Sequence, residues 1–170
     1  MICRNLGLTL VLVMAPMAAC AAPGEACDLA HVKSARELQD ALGERSVEIV
    51  ALAAQADSPS DARIALLVKP TASFSLGSGD VGRPLGAGVA GVHALTALMN
   101  ADGYAFQGWD FMDMPTDGCA PQKVVVVFTD TVAKQRSEVE FSYVRGRLVA
   151  ATGWEHSYTS GPLKRPRSDK

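Results

Sequence analysis

The stretch VEFSYVRGRLVAATGWEHSY, residues 139–158, decides the fold of this chain. Apolar and polar side chains alternate on both sides of Arg145 and Gly146, a pair that is typical of a two-residue hairpin turn. The alternation predicts two long antiparallel strands, residues 135–144 and 147–158. One face of the first strand carries Val139, Phe141 and Tyr143. One face of the second carries Leu148, Ala150, Thr152, Trp154, His156 and Tyr158.

We expect the apolar faces of these two strands to lie side by side and to point toward the core or toward a cavity. The face is apolar at one end and carries hydrogen-bonding groups at the other, which suits a pocket for a flat or apolar ligand. The alternative is that these aromatic side chains only pack the core. The predicted ligand-binding residues are Phe141, Tyr143, Trp154, His156, Tyr158 and, from an earlier predicted strand at residues 104–112, Trp109.

Helical patterns dominate the chain before residue 100, and strand patterns dominate the chain after it. A capping box of Ser34 and Glu37 starts a helical pattern that extends to residue 56, with a break or kink considered at Gly43 and Ser46. A second helix starts at Ser58 and stops at Pro70, and a third covers residues 89–99. Strands are predicted at residues 72–77, 104–112 and 123–129. The region before the third helix is predicted to be a glycine-rich turn, with a brief strand as the alternative. This order predicts an α+β fold with a curved, mostly antiparallel sheet wrapped around about three helices.

Gly86, Gly88 and Gly91 spell G-x-G-x-x-G directly before the third helix. A dinucleotide-binding turn requires a hydrophobic strand before the glycines, and the preceding residues, GSGDVGRPL, are typical of a turn. The glycines therefore indicate a tight turn and close packing of the helix. We expect no cofactor.

The first residues, MICRNLGLTLVLVMAPMAAC, have the short apolar run of a signal peptide. Met17, Ala18, Ala19 and Cys20 resemble the lipobox of bacterial lipoproteins, which implies acylation of Cys20 and anchoring to the outer membrane. Ordinary cleavage after Ala21 is the alternative. We therefore expect a signal peptide at residues 1–19, a tether at residues 20–33, a domain at residues 34–160 and a flexible basic tail at residues 161–170.

Export leaves Cys27 and Cys119 as a single cysteine pair, for which we expect a disulfide in an oxidising compartment. Two such distant cysteines without a matching histidine pattern do not indicate a metal site. The formal net charge of −2 gives no sign of a nucleic-acid partner.

Three segments resemble the nuclear transport factor 2-like (SnoaL-like) superfamily: ARIALLVKPTASFSLG, GVAGVHALTALM and VEFSYVRGRLVAATGWEHSY. The resemblance covers residues 34–160 and implies a cone-shaped fold with an apolar cavity. Members of the superfamily include isomerases, dehydratases, epoxide hydrolases, ligand binders and assembly domains, so the fold does not choose among functions. The catalytic motifs of its isomerases have no position-by-position match here.

The leading hypothesis is an exported, lipid-anchored envelope protein that acts as a small-molecule-binding or interaction module. Its expected partners are a small apolar or aromatic ligand and, through the anchor, the membrane. The first alternative is a cofactor-independent lyase, isomerase or hydrolase that uses a buried Asp110 with His156 or Tyr104. The second is a homodimeric structural module, because KVVVVFT, residues 123–129, is apolar on both faces.

Overall fold

The computed structural model describes residues 27–78, 81–107 and 117–158. The predicted signal peptide, the predicted lipidation site Cys20 and the predicted basic tail lie outside the described residues. So do Trp109 and Asp110, which belong to the segment between the third and fourth strands.

Three helices form one layer of the fold: α1 (Ala35–Gln55), α2 (Ser58–Leu67) and α3 (Gly88–Met99). The predicted cap of α1 is confirmed, because the hydroxyl of Ser34 accepts a hydrogen bond from the amide of Glu37 at 3.2 Å. α1 continues through Gly43 and Ser46 without a break. Within the described ranges, no helix combines the length and the apolar composition that a bilayer-spanning segment requires.

The second layer is a six-stranded curved sheet in the order β2-β1-β6-β5-β4-β3. Its strands are β1 (Val68–Ser78), β2 (Val81–Ala87), β3 (Gly103–Phe106), β4 (Gln122–Asp130), β5 (Gln135–Val144) and β6 (Arg147–Ser157). β1 and β6 run parallel, and the other neighbouring strands run antiparallel. The α+β class with a curved, mostly antiparallel sheet around three helices is therefore confirmed.

The hydrophobic core fills the space between the helices and one face of the sheet, which we call the inner face. Every second residue of β4 and β5 points into this space, as the alternation predicts. The largest fully buried side chains are Tyr143, Phe141, Leu38, Leu42, Ile49, Ile64, Leu95, Leu148, Val68, Val92, Val124 and Val126.

The glycine-rich segment before α3 contains a strand, β2, which lies at one edge of the sheet. β2 pairs antiparallel with β1, which is longer than predicted and includes Pro70. Gly86 and Gly88 adopt positive φ angles of 109° and 56°, which only glycine tolerates easily. A Cβ atom on Gly91 would stand 2.3 Å from the ring of Phe74, so this glycine lets α3 pack closely on β1.

Two connections tie the N-terminal segment to the sheet side of the molecule. Cys27 and Cys119 form a disulfide, with their Cα atoms 5.8 Å apart. The guanidinium of Arg45, on α1, pairs with the carboxylate of Asp28 at 2.7 Å and also donates to the carbonyl of Gly146 in the last hairpin turn. Arg45 thus joins the N-terminal segment, α1 and the β5–β6 turn in one cluster.

Replacing both Cys27 and Cys119 with serine should lower the free energy of unfolding. The disulfide closes a loop across 92 residues and so restricts the unfolded chain, which typically stabilises a domain by about 2–4 kcal/mol. Urea denaturation followed by circular dichroism measures the loss. A reducing agent should destabilise the natural protein and leave the double variant unchanged; equal stability of the two oxidised proteins would contradict the prediction.

Candidate functional site

Phe141 and Tyr143 belong to the packed interior. Both side chains are fully buried, and Phe141 makes an edge contact with Phe128 at a ring distance of 6.2 Å. The hydroxyl of Tyr143 lies 2.7 Å from the hydroxyl of Ser46, which donates to the carbonyl of Leu42 within α1. Burial raises the pKa of the Tyr143 phenol well above its ordinary value. These two aromatic side chains therefore hold α1 and β4 against β5.

The expected inward orientation is wrong for Trp154 and His156, which are both exposed. The pairing of β5 with β6 shifts by one residue, since Ser142 faces Ala150 whereas Tyr143 faces Leu148. Val149 is therefore an extra residue, a β-bulge, and it reverses the alternation of every later position in β6. After the bulge, Ala151 and Gly153 face the helices.

The other face of the sheet, which we call the outer face, therefore receives Trp154 and His156. Tyr158, just beyond the end of β6, is half-buried, and the guanidinium of Arg136 lies 5.7 Å from the centre of its ring. The aromatic groups expected to share one pocket are thus divided between the core and the outer face.

Two glycines support the indole ring of Trp154. Gly77 of β1 is its direct neighbour across the strand pair. A Cβ atom on Gly77 would stand 2.4 Å from the six-membered ring of the indole, and one on Gly82 would stand 3.9 Å from it. The indole therefore packs on the glycine backbone, while the residue as a whole keeps 36% of its surface exposed. This arrangement fixes an aromatic surface toward solvent.

A cleft of about 230 Å³ lies beside this ring on the outer face. We call it the outer cleft; its lining residues are Val125, Glu138, Glu140, Thr152 and Trp154. Glu138 stands opposite Trp154 in the β5–β6 pair, and Glu140 stands opposite Thr152. The outer cleft thus combines two carboxylates on β5 with an aromatic ring and a hydroxyl on β6, and β4 adds the apolar side chain of Val125.

The candidate catalytic residues do not converge among the described residues. Tyr104 pairs with the inward-facing Phe128 at the β3 edge, and it is 56% exposed. His156 lies on the opposite face, three strands away, which corresponds to roughly 14 Å at the usual strand spacing. Asp110, the proposed buried acid, lies outside the described residues.

A histidine–aspartate pair connects the three helices. The ring of His93 on α3 contacts Asp61 of α2 at 2.6 Å and the carbonyl oxygen of Ala53 on α1 at 3.1 Å. Each ring nitrogen of His93 therefore makes a hydrogen-bond contact with an oxygen atom of another helix, which indicates a structural link between the helices. The sequence pattern shows His93 but gives no sign that Asp61 is its partner.

His93 borders a cleft of about 380 Å³ that is lined largely by alanines at the ends of α1 and α3. In the described part of the chain, no cluster of three or more histidine, cysteine, aspartate or glutamate side chains is placed to hold a metal ion.

Replacing Tyr143 with phenylalanine should change the alkaline stability of the protein. In the unfolded chain the phenol ionises near pH 10, whereas burial raises its pKa in the folded state. The natural protein should therefore lose stability as the pH rises above about 10, and the variant should lose less.

At pH 7 the variant should be about 1 kcal/mol less stable, because it lacks the hydrogen bond to Ser46. Urea denaturation at pH 7 and pH 11 measures both effects. Tyr104→Phe, which removes an exposed phenol, is the control and should leave the pH dependence unchanged. Parallel pH profiles of the natural protein and Tyr143→Phe would contradict the prediction.

No family model matches the chain, and no curated protein matches it. Solved structures that resemble it include an NTF-2 like protein of unknown function from Burkholderia xenovorans LB400, with TM-score 0.46, 12% identity and coverage of 77% of this chain and 94% of that one. A protein of unknown function with a cystatin-like fold from Methylobium petroleophilum PM1 has TM-score 0.41 and 12% identity, covering 75% and 83%. A phenazine biosynthesis-related protein from Pseudomonas aeruginosa has TM-score 0.38 and 9% identity, covering 71% and 78%. At these identities the resemblance concerns architecture.

Proposed function

We propose that this chain is an exported, lipid-anchored envelope protein whose domain is a binding module, and that the module binds its ligand in the outer cleft. The observation that carries this proposal is the position of Trp154. Its ring is supported by glycine on one side and faces solvent beside a cleft, whereas Phe141 and Tyr143 are packed in the core.

The exposed indole of Trp154 offers apolar surface that a bound ligand can cover. Burying an exposed indole against a ligand removes apolar surface from water, which is favourable by roughly 25 cal/mol per Å². Tryptophan is also enriched among the residues that dominate binding energies. Because the Gly77 backbone already holds the ring in place, the Trp154 side chain loses little conformational entropy when a ligand binds.

Three sequence features and one disulfide bond support export. The apolar leader and Cys20 have the pattern of a lipoprotein signal peptide, and the segment after Cys20, AAPGEA, consists mostly of small residues with Pro23 and Gly24. The disulfide between Cys27 and Cys119 suits an oxidising compartment, since cytosolic proteins rarely keep such bonds.

A homodimer formed through the outer face is the competing use of the same surface. Val125 and Val127 of β4 are only half-buried there, so a second copy of the sheet would bury them further. Such a dimer would cover Trp154 and exclude a ligand from the outer cleft.

Intact mass measurement of the protein purified from its own cells tests export. We expect a chain that begins at Cys20, carries lipid on that residue and contains an oxidised Cys27–Cys119 pair. A non-lipidated chain that begins at Ala22 would support export and contradict anchoring. An uncleaved chain with reduced cysteines would contradict export altogether.

Nuclear magnetic resonance with a fragment library tests the binding site. The sample is the leaderless chain, residues 21–170, and the library contains cationic, neutral and anionic fragments. We expect shifts of the Trp154 indole N–H and of backbone amides around Glu138 and Thr152. Shifts concentrated around Phe141 and Tyr143 would indicate binding in the core between the helices and the sheet and would contradict the proposal.

Light scattering of the same sample at tens of micromolar provides the control for self-association. A monomer leaves the outer cleft open to fragments. A dimer that buries the Trp154 indole, with no fragment-dependent shift, would favour the structural module instead.

A further inference from the structure

We propose that the outer cleft binds an organic cation, such as a protonated or quaternary amine. This inference rests on the proposed binding function and adds the chemical class of the ligand. Its basis is the placement of two carboxylates beside the solvent-facing ring of Trp154.

The indole ring supplies the first attractive group. A cation above the face of an aromatic ring is attracted by the negative charge density of that face, and tryptophan is the strongest aromatic partner. Gly77 and Gly82 underlie one side of the Trp154 ring. The surface that remains exposed is therefore available to a ligand, and the ring is already oriented.

The carboxylates of Glu138 and Glu140 supply the second attractive group. Glu138 and Glu140 are two residues apart on the same face of β5, so their Cα atoms are about 7 Å apart. Glu138 lies directly across from Trp154, and no residue of the described ranges forms an ion pair with it. A cation over the indole is thus within the reach of an uncompensated negative charge.

The neighbouring positive groups leave the carboxylate of Glu138 without an ion pair among the described residues. Lys123 pairs with Glu140 at 2.7 Å, but both side chains are largely exposed, at 61% and 43%. Such surface pairs contribute little free energy and exchange readily with a ligand. The guanidinium of Arg136 lies over the ring of Tyr158 instead.

The same charges disfavour other ligand classes. An anion in the outer cleft would be repelled by Glu138, whose carboxylate has no ion pair among the described residues. A neutral ligand that stacks on Trp154 would remove water from these carboxylates without providing a compensating charge, which is unfavourable. The volume of about 230 Å³ accommodates a small ammonium head group with its first carbons.

Choline and its uncharged isostere 3,3-dimethyl-1-butanol test the inference, because they share their shape and differ in charge. Each is titrated into the leaderless chain, and the chemical shift of the Trp154 indole N–H is followed. We expect choline to saturate the shift in the millimolar range and the isostere to bind at least about tenfold more weakly. We also expect choline binding to weaken as the salt concentration rises.

Two variants of the site and one matched control assign the interaction. Trp154→Ala should abolish choline binding, as judged by the backbone amides around Thr152. Glu138→Gln, which keeps the size of the side chain and removes its charge, should weaken binding about tenfold. Glu48→Gln changes a similarly exposed carboxylate, 41% exposed on α1, and should leave binding unchanged.

The outcomes separate the two proposals. Equal binding of choline and its isostere, or undiminished choline binding by Glu138→Gln, would overturn the cation inference and leave the binding function in place. No shift of Trp154 with either probe, together with no response to the fragment library, would overturn both. Preserved backbone spectra of the variants establish that each one remains folded.

Discussion

The single extra residue at Val149 determines what each face of the last strand presents. Residues of a strand alternate between two faces, so one inserted residue moves all later side chains to the opposite face. Before the bulge, Leu148 packs into the core. After it, the small residues Ala151 and Gly153 occupy the inner face, and Trp154 turns outward.

The bulge also explains why the inner face accommodates its large aromatics. Gly153 faces the core between β1 and β5, where a Cβ atom would stand 2.8 Å from Leu76 and 2.9 Å from Val139. With Trp154 at that inner position instead, the core would have to admit an indole ring beside Leu76 and Val139. Small residues in β6 thus complement large ones in β5, and the bulky aromatic of β6 becomes available for binding on the outer face.

Polar contacts hold the helices over this sheet at several points. Arg45 links α1 to the β5–β6 turn, and the guanidinium of Arg147 donates to the carbonyls of Ala65 and Val68 where α2 joins β1. His93 links all three helices. These contacts lie around the edges of the core and stabilise the fold together with the packed interior. The outer cleft, in contrast, exposes an aromatic ring and carboxylates to solvent.

The sequence by itself determined the fold class, the three helices, the hairpin strands and the Cys27–Cys119 pair. Each of these follows from local periodicity, from a cap or turn signal, or from the number of cysteines. The tertiary structure decided the position of the bulge, the parallel pairing of β1 with β6, and the contact of His93 with Asp61. These features depend on how distant segments fit together, and the pattern of a single strand carries no information about its partner's register. The outer cleft therefore could not be predicted, although the sequence contains Glu138, Glu140 and Trp154. An ideal alternation assigns Trp154 to the inner face. Only the shifted pairing of β6 with β5 places it on the outer face.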